Sequence, residues 1–124
     1  MRRRALALLL ATSLVATVVA AAHGSSTPRQ TLVGRTGPGF DITLRTQAGA
    51  KVTRLTAGTY LFRIVDRTGD DAHNFRLVGP GVQRATSVGF VGTRTWQVTL
   101  QHGKTYRFLC DPHAFVMKGS FRVT

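Results

Sequence analysis

From Phe40 onward the chain alternates apolar and polar residues with a period of two, the signature of strands with one buried face. Phe40, Ile42 and Leu44 fall on one side, with Asp41, Thr43 and Arg45 on the other. Tyr60, Phe62 and Ile64 form a second set, introduced by the turn signal Ala57-Gly58. Trp96, Val98 and Leu100 alternate with Thr95, Gln97 and Thr99. Then His102-Gly103 reads as a hairpin connection, with His102 a turn residue. Tyr106, Phe108 and Cys110 share the next face, and Phe121 and Val123 the last. After residue 30 no stretch shows an apolar 3.6-residue period of helical length. The pattern predicts an all-β sandwich or barrel of seven or eight short antiparallel strands, punctuated by Gly and Pro.

The first 22 residues follow another rule. Met1-Arg2-Arg3-Arg4 is positive, Ala5–Ala22 is uncharged and rich in Leu, Ala and Val, and the run ends in Val18-Val19-Ala20-Ala21-Ala22. Basic start, apolar middle and small-residue end describe an export signal peptide, cleaved rather than kept as an anchor. Residues 23–34 then read as a flexible lead-in and 35–124 as the single domain. Cleavage after Ala20 would expose Ala21-Ala22-His23, an amine-and-imidazole terminus able to bind Cu(II) in square-planar fashion.

Composition narrows the classes. The 124 residues suit one domain, and a mean hydropathy of +0.01 excludes both a disordered chain and a multi-span membrane protein. One Cys excludes an internal disulfide scaffold, a Cys-rich zinc module and a CxxC redox pair. Nucleotide-binding and zincin motifs are missing. Net charge is +12, or +9 once the three leader arginines are removed. Because the arginines are scattered singly through an exported chain, this charge points to an acidic partner, membrane surface or wall polymer rather than nucleic acid.

Strand parity locates the chemistry. His73 shares its face with Phe75 and Leu77, and Cys110 shares its face with Tyr106 and Phe108, so both point inward at strand ends. Asp111-Pro112-His113-Ala114-Phe115-Val116-Met117 follows at once, a Cys-x2-His-x3-Met loop. Thiolate, two imidazoles and a thioether are the ligands of a mononuclear blue-copper centre, His73, Cys110 and His113 with a long axial Met117. Soft sulfur suits Cu(I), imidazole suits either oxidation state, and a rigid frame keeps rearrangement small when an electron arrives. Pro112 stiffens the loop. The bland alternatives are a small core Cys, a satisfied core His and a gap-filling Met.

His73-Asn74-Phe75, Gly79-Pro80-Gly81-Val82, Trp96-Gln97-Val98-Thr99-Leu100 and Tyr106-x-Phe108-x-Cys110-Asp111-Pro112-His113, followed by Met117-x-Gly119-x-Phe121, resemble the cupredoxins, in particular bacterial plastocyanin- and azurin-like proteins. The resemblance covers roughly residues 40–124. It implies a Greek-key β-sandwich with copper at one end, one-electron transfer, and a link between the two ligand loops through Asn74. Asp111 departs from the family, where Ser or Thr is common. The resemblance also implies that His113 lies at the surface inside an apolar patch, for which Ala114, Phe115, Pro80 and Pro38 are the candidates.

The leading reading is thus an exported monomeric electron carrier, periplasmic or extracellular, with an acidic redox partner. A copper-delivery protein with the same ligands is the alternative. An enzyme with Cys110 as nucleophile and His113 as base lacks an orienting acid and gives Met117 no part.

Overall fold

The structure, a computed structural model, describes residues 29–67, 69 and 72–124. The leader, the Ala21-Ala22-His23 terminus and most of the lead-in lie outside them. Nine strands are seen: β1 (Thr31–Thr36), β2 (Ile42–Thr46), β3 (Arg54–Leu55), β4 (Gly58–Asp66), β5 (Arg76–Gly79), β6 (Val82–Ala85), β7 (Gly92–Leu100), β8 (Thr105–Leu109) and β9 (Lys118–Val123). They form two sheets, ordered β2-β1-β4-β7 and β3-β9-β8-β5-β6. The chain passes between sheets four times, from β2 to β3, β3 to β4, β4 to β5 and β6 to β7, before crossing once more from β7 to β8. This interleaving makes the sandwich.

The all-β sandwich stands as expected, with differences that have physical causes. The ninth strand is the two-residue β3. Both sheets are mixed rather than antiparallel, since β1 runs parallel to β4 and β3 parallel to β9. The first four residues of β1 fall in the stretch read as a lead-in, so strand structure starts at Thr31, ahead of residue 35. Its inward position after Leu32 is Gly34, where a Cβ would stand 2.6 Å from Ile64 Cδ1 and 2.8 Å from the Phe75 ring, and a glycine leaves no apolar mark in the pattern. His102-Gly103 closes no hairpin: β7 and β8 belong to different sheets, and Gly103 N–H donates to Val123 O at 2.8 Å. Phe40 precedes β2 and is 66% exposed, although its parity matches Ile42 and Leu44.

The core follows the predicted inner faces. Tyr60, Phe62, Ile64, Val98, Leu100, Tyr106, Phe108, Phe121 and Val123 are all buried. Phe75 stacks on Phe108 with centroids 5.7 Å apart, and Tyr106 stacks on Phe121 at 5.6 Å. Fully burying each such ring contributes about 1.5–3 kcal/mol. Gly119, on the inner face of β9, lets the Phe108 ring lie against bare backbone; any Cβ there would overlap it. Rings packed across both sheets fix the strand ends, and therefore whatever the loops at those ends carry. Among the described residues no helix is long and apolar enough to cross a membrane.

Candidate metal centre

The centre sits where β8 ends and β5 begins. Arg76 lies opposite Leu109 in the β5–β8 pairing, so the residues just before Arg76 and just after Leu109 leave the same end of the sheet side by side. Cys110 stays tied to the start of β9, its N–H donating to Met117 O at 3.0 Å. The intervening loop folds on itself: His113 N–H donates to Cys110 O at 3.2 Å and Met117 N–H to His113 O at 2.8 Å. Three turn bonds in eight residues thus hold Cys110, His113 and Met117 in one compact loop. On the other segment, His73 O accepts from Gly89 N–H at 2.8 Å.

These bonds bring three donor atoms together. Cys110 Sγ lies 3.7 Å from His73 Nδ1 and 3.6 Å from His113 Nδ1, and the two Nδ1 atoms are 3.2 Å apart. A point equidistant from atoms so spaced is about 2 Å from each, the length of a metal–imidazole bond at roughly 2.0–2.1 Å. Among the described residues this is the group of His, Cys and Asp side chains able to hold a metal ion. His73 and Cys110 are fully buried, and His113 is half-buried. Met117 is fully buried in the same loop. A Cys with 0% exposure is closed to a bulky substrate, which disfavours the nucleophile reading. The donor set is one thiolate, two imidazoles and a nearby thioether, which fits copper better than the hard cations, since those choose oxygen.

Asn74 ties the two ligand segments together, as the resemblance implied. Its Oδ1 accepts from Asp111 N–H at 2.7 Å, and its Nδ2 donates to Asp111 Oδ2 at 2.6 Å and to Thr86 O at 3.2 Å. Its backbone N–H donates to Cys110 Sγ at 3.5 Å, a second tie between the two segments. Asp111 makes the link despite its departure from Ser or Thr, and it also accepts a two-pronged ion pair from Arg76, Nε to Oδ1 at 2.6 Å and Nη2 to Oδ2 at 2.8 Å. The Arg76 guanidinium, helped by Asn74, holds the Asp111 carboxyl below its ordinary value against the opposing effect of burial. In return, the bonds to Asp111 raise Arg76. Sequence reasoning missed Arg76. The signal was the anomalous acid beside the thiolate, which needs a cation nearby.

Around His113 the surface is apolar. Phe115 is 94% exposed and Val116 65%, and the Phe40 ring stands edge-on to the His113 ring with centroids 5.0 Å apart. Ala114 is exposed within the same loop, and Pro38 is exposed in the turn leading to Phe40. Pro80 does not join them. It lies between β5 and β6, beyond Gly79 and therefore at the opposite end of β5 from His73, with its carbonyl accepting from the Tyr106 hydroxyl at 3.2 Å. Phe40, absent from the expected patch, takes that place.

Comparison with solved structures bears on the fold. Reduced rusticyanin superposes with a TM-score of 0.58 at 20% identity, covering 76% of this chain and 78% of that one. Rusticyanin from Thiobacillus ferrooxidans gives a TM-score of 0.53 at 21% identity, covering 76% of each chain. The chain has a cupredoxin fold. A multi-copper oxidase from Pediococcus acidilactici is also similar, with a TM-score of 0.50 at 16% identity, and there 94% of this chain matches 30% of that one. No family model and no curated protein matches the chain. At these identities the cupredoxin likeness speaks for the fold, and the site rests on its own geometry.

Proposed function

We propose that this chain is an exported mononuclear blue-copper protein that carries single electrons to and from a redox protein. The observation that carries the reading is the triangle of His73 Nδ1, Cys110 Sγ and His113 Nδ1, with sides of 3.2 to 3.7 Å. The bound copper would supply the one-electron change between Cu(I) and Cu(II). His73, Cys110 and His113 would hold it, with the thioether of the buried Met117 as a weaker fourth ligand.

The chain's own residues do the rest. Anchoring of both ligand segments to the paired strands β5, β8 and β9 of one sheet limits rearrangement between oxidation states, which keeps the barrier to transfer low. The Asn74 N–H on the sulfur supports the thiolate charge. His113 is the half-buried ligand, edged by Phe40 and flanked by exposed Phe115 and Val116, so a partner could reach its ring without stripping water from a charge. Such a partner would be apolar at its centre. Its acidic residues, expected from the net charge of +9 once the three leader arginines are removed, would meet arginines on the flanks of the sandwich rather than the rim around His113. The leader at residues 1–22 supports export to the periplasm or cell surface, with the domain acting as a monomer.

Electron exchange under metal retention tests the carrier role. Protein loaded with one copper should cycle rapidly between reduced and oxidised forms while a chelating acceptor in the same solution stays empty. Slow cycling with prompt loss of copper to the acceptor would instead identify a delivery protein.

A further inference from the structure

Asp111 places a carboxylate one residue from the sulfur, at a position where the family resemblance has a neutral hydroxyl. A free negative charge there would favour the oxidised, more positive metal and would repel the thiolate. Arg76 answers it with two parallel donors, Nε to Oδ1 at 2.6 Å and Nη2 to Oδ2 at 2.8 Å. The paired side chains are about one third exposed, at 31% and 33%. Exposed ion pairs add little to stability as a rule, so the interest of this one is its position.

The β5–β8 register explains that position. Arg76 pairs with Leu109, Leu77 with Phe108 and Val78 with Arg107. Continued past the strand ends, the same register sets Asn74 opposite Asp111 and Phe75 opposite Cys110. The Asn74 side chain takes both bonds where a ladder would use its backbone groups, donating from Nδ2 to Asp111 Oδ2 at 2.6 Å and accepting at Oδ1 from the Asp111 backbone N–H at 2.7 Å. Arg76 reaches the same carboxylate diagonally from two residues along, the spacing at which same-face side chains of neighbouring strands meet.

We infer that Arg76 and Asp111 form a charge-neutral clamp that extends the β5–β8 pairing into the metal centre, positioning the His73 and Cys110 segments while cancelling the carboxylate's charge beside the thiolate. Arg76 is a positioning residue in this scheme and touches no ligand atom. The inference rests on the copper reading above for its electrostatic half, whereas the positioning half concerns the protein without metal.

Four variants separate the halves: Arg76→Gln, Asp111→Asn, the double variant Arg76→Gln/Asp111→Asn, and Arg76→Lys. Each is read by the reduction potential of the copper form and by amide hydrogen exchange of the metal-free form. The clamp predicts a lower potential for Arg76→Gln, a higher one for Asp111→Asn, and a return toward the parent in the double variant and in Arg76→Lys. It also predicts faster exchange at the Asn74 and Asp111 amides in the two Arg76→Gln variants, partly rescued in Arg76→Lys. Potentials that move the same way in both single variants, or do not move, overturn the charge cancellation. Unchanged exchange in Arg76→Gln overturns the positioning. Failure of the parent protein to form a blue-copper site would end the copper reading and the electrostatic half with it, and the positioning half would still be decided by the exchange experiment, which needs no metal.

Discussion

At the metal end of the sandwich lie the described carboxylates, Asp41 and Asp111 in loops and the buried Asp66 at the last position of β4, and the exposed side chains nearest His113 are Phe40, Phe115 and Val116. Asp70 and Asp71, which complete the chain's five acids, precede His73 by three and two residues in sequence. The broad faces of the two sheets are the reverse. Exposed Arg35, Arg45 and Arg63 occupy outward positions on β1, β2 and β4, and Arg54, Arg107 and Arg122 on β3, β8 and β9, with no exposed carboxylate at any described strand position. Arg54 even faces Arg122 directly. The difference teaches that net charge and docking face are separate properties. Charge on the flanks costs little in water, whereas under the proposed function charge beside His113 would have to be desolvated each time a partner docked.

Breaking the metal end should have the largest effect. Cys110→Ser removes the thiolate, and copper affinity should fall by more than the roughly 10–100-fold typical of losing a supporting partner, as competition with a chelator would show. On the body, Gly119→Val drives a side chain into the Phe108 ring and should cost about 1–3 kcal/mol or more, read as a lower denaturant midpoint in metal-free protein. Phe115→Ser tests the rim. Electron self-exchange should slow, while the visible spectrum stays the same and stability changes by less than about 0.5 kcal/mol. Neutralising the flank through Arg35→Gln, Arg45→Gln and Arg63→Gln together should leave the spectrum alone and shift the potential only slightly. That shift should shrink further at 0.15 M salt, where the screening length is about 8 Å.

The smallest effect concerns pH. The Asp111 carboxyl is held below its ordinary value, so the folded state binds this proton less readily than the unfolded chain does. Stability from the Arg76 pair is therefore fully present above the ordinary carboxylate range and drains away as pH falls through the depressed value. A denaturation series in acid should show this loss in the parent protein and not in Asp111→Asn.

The meeting of His73, Cys110 and His113 was legible because strand parity and a short loop are local features. Tyr106, Phe108 and Cys110 had to share a face, and with two residues between Cys110 and His113 the loop leaves these two side chains little freedom to diverge. What local pattern could not carry was pairing at a distance. Gly34 hides β1 because its inward position bears no side chain. His102-Gly103 has the chemistry of a tight turn whether the chain returns to the same sheet or crosses to the other. Pro80 stands near the family's motif in sequence and at the far end of β5 in space. Arg76 meets Asp111 across 35 residues of chain, through a register that no turn signal announces.

A copper titration of the metal-free protein, followed by visible absorption, bears most directly on the central claim. One equivalent of Cu(II) should produce an intense thiolate-to-copper band that saturates at unit stoichiometry. A pale adduct without that band, with Cys110 still a free thiol, would contradict the proposed centre.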